Sequence, residues 1–432
     1  ALPHLRQGRF FRDRAFRGRF AVLALLIWYV AAAVAVGFFG APGILNNLGD
    51  LILVWLTVEA LAGRQAKRLL TDCVLWAMAL FCAIGLVSAL ICRVSLPLIA
   101  WGLRQNCRFF LYYYGCLTFL KKEDLQWIFR FVAVLFWLSL PLSVGEVMLG
   151  HFPENAVIGD YIGGVYYGAE GVNTPLNAVL VVYCAKKLND FFTGRTGLAV
   201  LLHVLTAALV TAVMAEMKFF FIELMVIAAF YIFTNRPGWR SLALVSLGCI
   251  GILLAIRLYA RVNPTQYRDF AENSISIEYL LVKVNRSTGY TGIGDFNRGN
   301  AIKRINEEFF AGDKRSQLLG IGLGGGEFSD RFELFNSPFY EQNWLTHYQY
   351  FLHALLYLQT GLVGLVAYCG IFFTAAAQAL VRVPKGDGYK RLFILLPLLM
   401  LITVFYNTGM REEQTAFLLF GLLSAPMLQN QI

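Results

Sequence analysis

His347 stands where the polar run Glu341-Gln342-Asn343 gives way to an apolar stretch, and the 432-residue chain has only five histidines. An imidazole at the edge of an aqueous loop is well suited to accept a proton near neutral pH. His353 follows six residues later, deeper in the same stretch. The other conspicuous residues are cations near apolar sequence. Arg104 and Arg108 lie four apart, Lys218 sits in Met214-Ala215-Glu216-Met217-Lys218-Phe219, and Arg411 precedes Glu412 and Glu413. Arg298 belongs to the polar run Asp295-Phe296-Asn297-Arg298-Gly299-Asn300. Cations of this kind grip phosphate oxygens. Taken singly, each cation is equally well explained by snorkelling or by pairing with Glu146, Glu216 or Glu223. His347 singly could be a hydrogen-bonded structural residue. Convergence of several cations on one membrane face favours a polyanion such as a lipid-linked pyrophosphate.

The elements that must carry these residues follow from composition. Hydrophobic residues make up 58% of the chain and charged residues 15%, against roughly 45–50% and about 25% in soluble domains. Mean hydropathy is +0.59. Disorder is excluded by this composition. A spanning helix needs about 20 apolar residues, so the expectation is an all-α polytopic membrane protein of about twelve helices. The apolar runs fall at 20–40, 48–63, 73–92, 97–119, 127–149, 172–189, 197–215, 218–234, 241–258, 348–370, 392–408 and 414–428. The eight cysteines lie in or beside these runs without a CxxC pair, which suits small apolar packers better than disulfides or zinc ligands.

Basic residues orient the chain. The connections 1–19, 64–72, 120–130, 185–196, 235–240 and 376–391 hold 21 Lys plus Arg, whereas the opposite connections and adjoining span ends hold Arg93, Arg104, Arg108, Lys218 and Arg411. This bias puts both termini in the cytoplasm and the stretch 259–345 outside. The net charge of +10 is therefore a topology signal, and a nucleic-acid partner is not expected. The resulting division is a cytoplasmic basic interfacial segment at 1–19, nine spans over 20–258, an outer loop domain at 259–345 and three spans over 346–432. In the first segment Leu5, Phe10, Phe11 and Phe16 interleave with Arg6, Arg9, Arg12, Arg14 and Arg17, as in a segment held by anionic headgroups. The first span is too long for a signal-peptide core and reads as a retained helix.

The outer loop carries Tyr259, Tyr267, Tyr279, Tyr290, Phe296, Phe309 and Phe310, which suits a folded cap over the membrane. Ala301, Ile302, Ile305 and Phe309 recur at helical spacing, with Arg298 in or just before the first turn. Leu318-Leu319-Gly320-Ile321-Gly322-Leu323-Gly324-Gly325-Gly326 follows. Its glycines fit a tight structural turn better than a phosphate cradle, since the Lys-Ser/Thr ending of a P-loop is missing. No paired carboxylates in the loop suggest a metal site.

Taken together, this arrangement resembles the O-antigen ligase and Wzy-type O-antigen or exopolysaccharide polymerase superfamily. The topology carries the resemblance over nearly the whole chain. Narrower support comes from Asn297-Arg298 through Leu319-Gly320-Ile321-Gly322-Leu323-Gly324, and from His347 ahead of Gly361-Leu362-Val363-Gly364-Leu365. Gly163-Gly164-Val165-Tyr166-Tyr167 to Asn173-Thr174-Pro175-Leu176-Asn177 resembles the outer loop entering span six. Two departures stand out. Met217-Lys218 replaces the family's serine-arginine, and His347 lies about three residues further from Gly361 than usual, which puts Tyr350 at the nominal histidine site.

The resemblance implies a GT-C-like fold in the bacterial cytoplasmic (inner) membrane. It also implies transfer of a glycan from an undecaprenyl-pyrophosphate-linked oligosaccharide to an acceptor hydroxyl, without nucleotide sugar, metal or other cofactor. On that reading His347 is the base, Arg298 and Lys218 stabilise the departing pyrophosphate, and Arg104, Arg108 and Arg411 hold the lipid headgroup. Polymerisation of repeat units is preferred, with a chain-length regulator and a flippase as partners besides the bilayer. Ligation of glycan to a lipid A-core stays open as an alternative. A transporter of lipid-linked glycans fits less well, because the inner halves of the spans are nearly all apolar apart from Glu59.

Overall fold

The computed structural model describes residues 13–62, 71–150, 152–153, 157–168, 170–235, 238–262 and 294–428. Most of the expected interfacial segment (1–12) and the loop aromatics Tyr267, Tyr279 and Tyr290 lie outside the described residues. Among those described, regular structure is all-helical. The helices before the loop are α1 (Arg14–Phe39), α2 (Leu45–Leu61), α3 (Cys73–Ile91), α4 (Leu96–Phe119), α5 (Lys122–Leu149), α6 (Asn173–Phe192), α7 (Leu198–Met214), α8 (Lys218–Thr234) and α9 (Trp239–Val262). The loop adds the short α10 (Ala301–Arg304), α11 (Lys314–Leu319) and α12 (Pro338–Asn343). After it come α13 (Leu352–Arg382), α14 (Lys390–Tyr406), α15 (Glu413–Leu423) and α16 (Ala425–Leu428). Each of the twelve apolar runs falls on one of these helices. Four of them, α1, α3, α5 and α13, are long and apolar enough to cross a membrane.

Local chemistry sets the helix ends. Asp72 caps α3, accepting from the amides of Val74 at 2.9 Å and Leu75 at 3.0 Å. Its other oxygen receives Tyr113 Oη of α4 and Gln378 Nε2 of α13, both at 3.2 Å, so one fully buried carboxyl ties three helices. Aromatic packing fills the interior between α1, α4 and α15, where Tyr29, Phe109 and Tyr112 meet the Phe417 ring at 4.6, 5.0 and 4.9 Å. Such contacts are each worth about 0.5–1.5 kcal/mol beyond area burial.

The basic connections are drawn together at one end of the bundle. Arg14 and Arg17 hold Glu59 at 3.4 and 2.7 Å, Arg19 pairs with buried Asp124, and Arg382 donates to the Thr71 carbonyl at 2.7 Å. Of the arginines in the expected interfacial segment, Arg14 and Arg17 are thus committed to a carboxylate. The pairing also gives a partner to Glu59, the acid that the sequence placed in otherwise apolar surroundings.

The glycine-rich segment is built into the wall of the bundle. The helix α13 breaks at Gly361, where φ is 63° and ψ is −166°. The break leaves the Leu358 and Gln359 carbonyls without helical partners, and they accept instead from Ile321 N at 2.8 Å and Gly322 N at 2.9 Å. Ser88 of α3 donates to the Leu319 carbonyl. The Gln359 side chain completes the seam, accepting from Gly324 N and donating to Glu327 Oε1, both at 2.9 Å. The glycines thus serve close backbone packing, as expected, and the tenth apolar run is longer and interrupted where a plain span was expected at 348–370.

Gly324 shows why no side chain fits. Its φ is +92°, and a Cβ would land on the Leu98 carbonyl of α4. Overpacking alone costs about 1–3 kcal/mol, with backbone strain in addition. Gly324→Ala should therefore lower the melting temperature of the detergent-purified protein, measured by intrinsic fluorescence. Gly370→Ala should not, because nothing lies within 4 Å of a Cβ there. Equal melting of the two variants would refute the seam.

Candidate functional site

Arg298 is presented by a turn that the two asparagines around it hold rigid. Asn297 Oδ1 accepts from Gly299 N at 3.0 Å and Asn300 N at 2.9 Å, while Asn300 Oδ1 accepts from Asn297 N at 3.0 Å. The expected amphipathic helix forms just after, as α10 followed by a π turn at Ile305–Phe309. Arg298 reaches to the end of α14, donating from Nε to the Tyr406 carbonyl at 2.7 Å with its guanidinium 4.0 Å from the Tyr406 ring centroid. The turn leaves the side chain exposed.

His347 comes to the same corner through the backbone. Phe296 N donates to the Thr346 carbonyl at 2.8 Å, which sets 295–298 alongside 346–347. The histidine links the 3-10 turns Trp344–Thr346 and Tyr348–Tyr350 in the left-handed conformation, φ 55° and ψ 23°. Such a backbone costs about 1–3 kcal/mol for a non-glycine residue and concentrates at functional sites. Its Nδ1 lies 3.7 Å from Oδ2 of Asp295, a carboxyl only 1% exposed. That distance is longer than a hydrogen bond, but catalytic contacts are often loose without substrate. A carboxylate facing Nδ1 selects the tautomer that leaves Nε2 free to accept a proton. Sequence reasoning missed Asp295; its one signal was the acid three places before Arg298.

Tyr350 stacks on the His347 ring at 4.9 Å and is 57% exposed. His353 is buried, with Nε2 donating to the Arg298 carbonyl at 3.1 Å and its ring stacked 5.4 Å from Phe405. It positions the Arg298 turn from below.

Lys218 opens α8 and is exposed, with no ion pair among the described residues. The next residue, Phe219, stacks on Tyr406 at 3.8 Å and 6°. One tyrosine ring therefore meets both Arg298 and the first turn of α8, whose N-terminus adds a positive helix end to the lysine. The loop entering α6 adjoins this corner through Asn407 Nδ2, which donates to Thr174 Oγ1 at 3.5 Å.

Arg104, Arg108 and Arg411 are placed differently. Arg104 holds Asp50 at 2.6 Å, buried Arg108 holds Glu413 at 2.9 Å, and Arg411 holds fully buried Glu327 at 2.5 Å. Arg108 also donates to the Arg411 carbonyl at 3.2 Å, which joins the pairs into one network. Glu412 beside them is partly buried, and desolvation, aided by Glu413, pushes its carboxyl up to about 8. Each of the three arginines is met by a carboxyl group of its own. The acids considered from sequence are elsewhere: Glu146 accepts from Gly163 N and Gly164 N at 2.9 and 3.1 Å, and Glu223 from Asn177 at 2.7 Å.

Removing one member of a buried pair costs about 3–5 kcal/mol. Arg108→Ala should therefore lose folded protein, measured as monodisperse yield in detergent. A well-folded, fully stable Arg108→Ala protein would show that the pair is dispensable.

The chain matches no protein-family model and no curated protein. The residues at the Arg298 corner therefore carry the functional argument by their own chemistry.

Proposed function

We propose that the chain is a polytopic inner-membrane glycosyltransferase that polymerises polyprenyl-pyrophosphate-linked oligosaccharide repeat units into a surface polysaccharide. Twelve helices cross the bilayer, both termini are cytoplasmic, and the Arg298 corner faces outward. The observation that carries this reading is the Asp295–His347 pair set beside Arg298, with Lys218 joined to it through Phe219 and Tyr406. A base for an acceptor hydroxyl and two cations for a departing pyrophosphate are what such a transfer requires.

Mechanistically, His347 Nε2 takes the proton of the acceptor hydroxyl as its oxygen attacks the anomeric carbon. Asp295 stabilises the imidazolium that results. The bond from the anomeric carbon to phosphate oxygen breaks, and its electrons pass to the pyrophosphate. Arg298 offers a planar two-point grip there, while Lys218 contributes a point charge. Arg104, Arg108 and Arg411, expected to hold the lipid headgroup, would do so in competition with Asp50, Glu413 and Glu327.

The test is reconstitution of purified protein in liposomes with lipid-linked repeat units as the sole substrate. Products longer than one repeat unit support the reading, and transfer only to an added lipid A-core would replace polymerase by ligase. No transfer to any hydroxyl acceptor would overturn it. Orientation is tested separately. A cysteine introduced at 300–345 should react with an impermeant maleimide in intact cells, and one at 385–388 only after permeabilisation. The reverse order would put the site in the wrong compartment.

A further inference from the structure

A second cationic site lies at the end of the bundle opposite Arg298. The helix α6 begins beside Asn407 at the Arg298 corner and runs away from it, so Lys186 and Lys187 lie about 20 Å further along, at ~1.5 Å per residue. There α5 and α6, with Tyr389 ahead of α14, enclose a cavity of about 270 Å³ lined by Gln126, Arg130, Tyr183, Lys186, Lys187 and Tyr389. Lys186 is committed to Asp190 at 2.5 Å. Neither Arg130 nor Lys187 has an ion-pair partner among the described residues, and no carboxylate lines the cavity. Cations without a contact ion pair around an open cavity suit an anion.

The surroundings distinguish a lipid from a soluble anion. Val134, Trp137 and Leu138 follow Arg130 at spacings of four, seven and eight, so they share its face of α5. They are 54%, 38% and 51% exposed, forming an apolar strip that leads away from the cavity. Trp137 Nε1 donates to Tyr183 Oη at 3.3 Å, which makes the strip continuous with the cavity wall. A charged head position next to an unpartnered apolar strip matches an amphiphile. We propose that this cavity binds the phosphate of an anionic phospholipid, with an acyl chain along Val134, Trp137 and Leu138. Gln126 and Tyr389 supply hydrogen bonds to the headgroup, and Arg130 and Lys187 supply the charge. The site rests on the membrane reading and is independent of glycosyl transfer.

Native mass spectrometry of the full chain tests this, with the protein released from nanodiscs of phosphatidylglycerol or of phosphatidylcholine. The wild type should retain phosphatidylglycerol selectively. Each basic group near an anionic headgroup contributes about fivefold. The double variant Arg130→Gln, Lys187→Gln should therefore bind roughly 25-fold more weakly, and Arg130→Lys, Lys187→Arg should bind like the wild type. Loss in the neutral variant with retention in the basic one supports the site and excludes misfolding as the cause. Equal retention in all three overturns it. Displacement of the lipid by glycerol phosphate at matched concentration overturns the lipid assignment in favour of a soluble phosphate. A protein that stayed monodisperse without detergent would overturn the membrane reading instead.

Discussion

His347→Ala is expected to slow chain lengthening from lipid-linked repeat units by roughly 10²–10⁴, the usual range for loss of a general base. The variant should fold normally, because His347 lies in a surface link between two 3-10 turns, outside the helical interior. Its replacement by alanine in a left-handed backbone adds local strain only. His347→Gly, which relieves that strain, should be equally inactive and so separates chemistry from conformation. Asp295→Asn should also lose much of the rate, since the amide removes the charge that stabilises the imidazolium and can favour the wrong tautomer. The rival assignments predict a different pattern. Tyr350 has a phenol, ordinarily ionising near 10, and Tyr350→Phe should retain most of the rate because only stacking is altered. His353→Ala should act through the Arg298 turn, raising KM more than it lowers kcat. An inactive Tyr350→Phe beside a near-normal His347→Ala would move the base to the family's usual spacing.

Arg298→Ala is expected to cost roughly 10²–10³ in rate, the effect of removing one donor from developing negative charge. The asparagine bonds that shape its turn use other side chains, so the turn survives the substitution. Arg298→Lys should recover only part of the loss, because a point charge replaces a planar fork. Lys218→Arg should keep activity and Lys218→Glu should abolish it, as reversal of charge opposes the leaving group twice over. The contrast with Arg108 is diagnostic: there the loss falls on folded yield, here on turnover by protein of normal stability. Normal polymer from Arg298→Ala would reduce the corner to a structural brace.

Much of this architecture could be read from the chain before any coordinates. Apolar runs of spanning length are the strongest local signal a sequence carries, and every one expected lies on a helix. The tenth run was misjudged because Gly361 is harmless to hydropathy; what breaks the helix is a docking segment some forty residues earlier. Arg298, His347 and Lys218 stood out in the sequence by residue type in an unusual setting, and the turn of Arg298 does adjoin His347. Asp295 was not legible, because a carboxylate in a polar loop of balanced charge stands out in no way until Phe296 meets Thr346. The fates of Arg104, Arg108 and Arg411 were equally hidden. Their partners Asp50, Glu413 and Glu327 come from the second helix, the last connection and the loop, and no spacing rule connects such distant positions.

The break in α13 bears on how the protein is assembled in the first place. Two of the carbonyls of α13 rely on amides of a segment made earlier, which the proposed topology exports across the bilayer. A bare carbonyl facing hydrocarbon costs several kcal/mol, so the helix has reason to enter the membrane straight and bend only when that segment arrives. Below the break, 362–382 still rises about 31 Å at ~1.5 Å per residue, enough to cross the hydrocarbon unaided. The nine residues above it, 352–360, are buried throughout and sit among protein. On the proposed topology biogenesis then has an order: export of the loop, threading of α13, then closure of the seam between the glycine-rich segment and α13. If the proposed function holds, the corner is completed only after the loop has crossed, and a chain still in transit through the translocation machinery would lack its site.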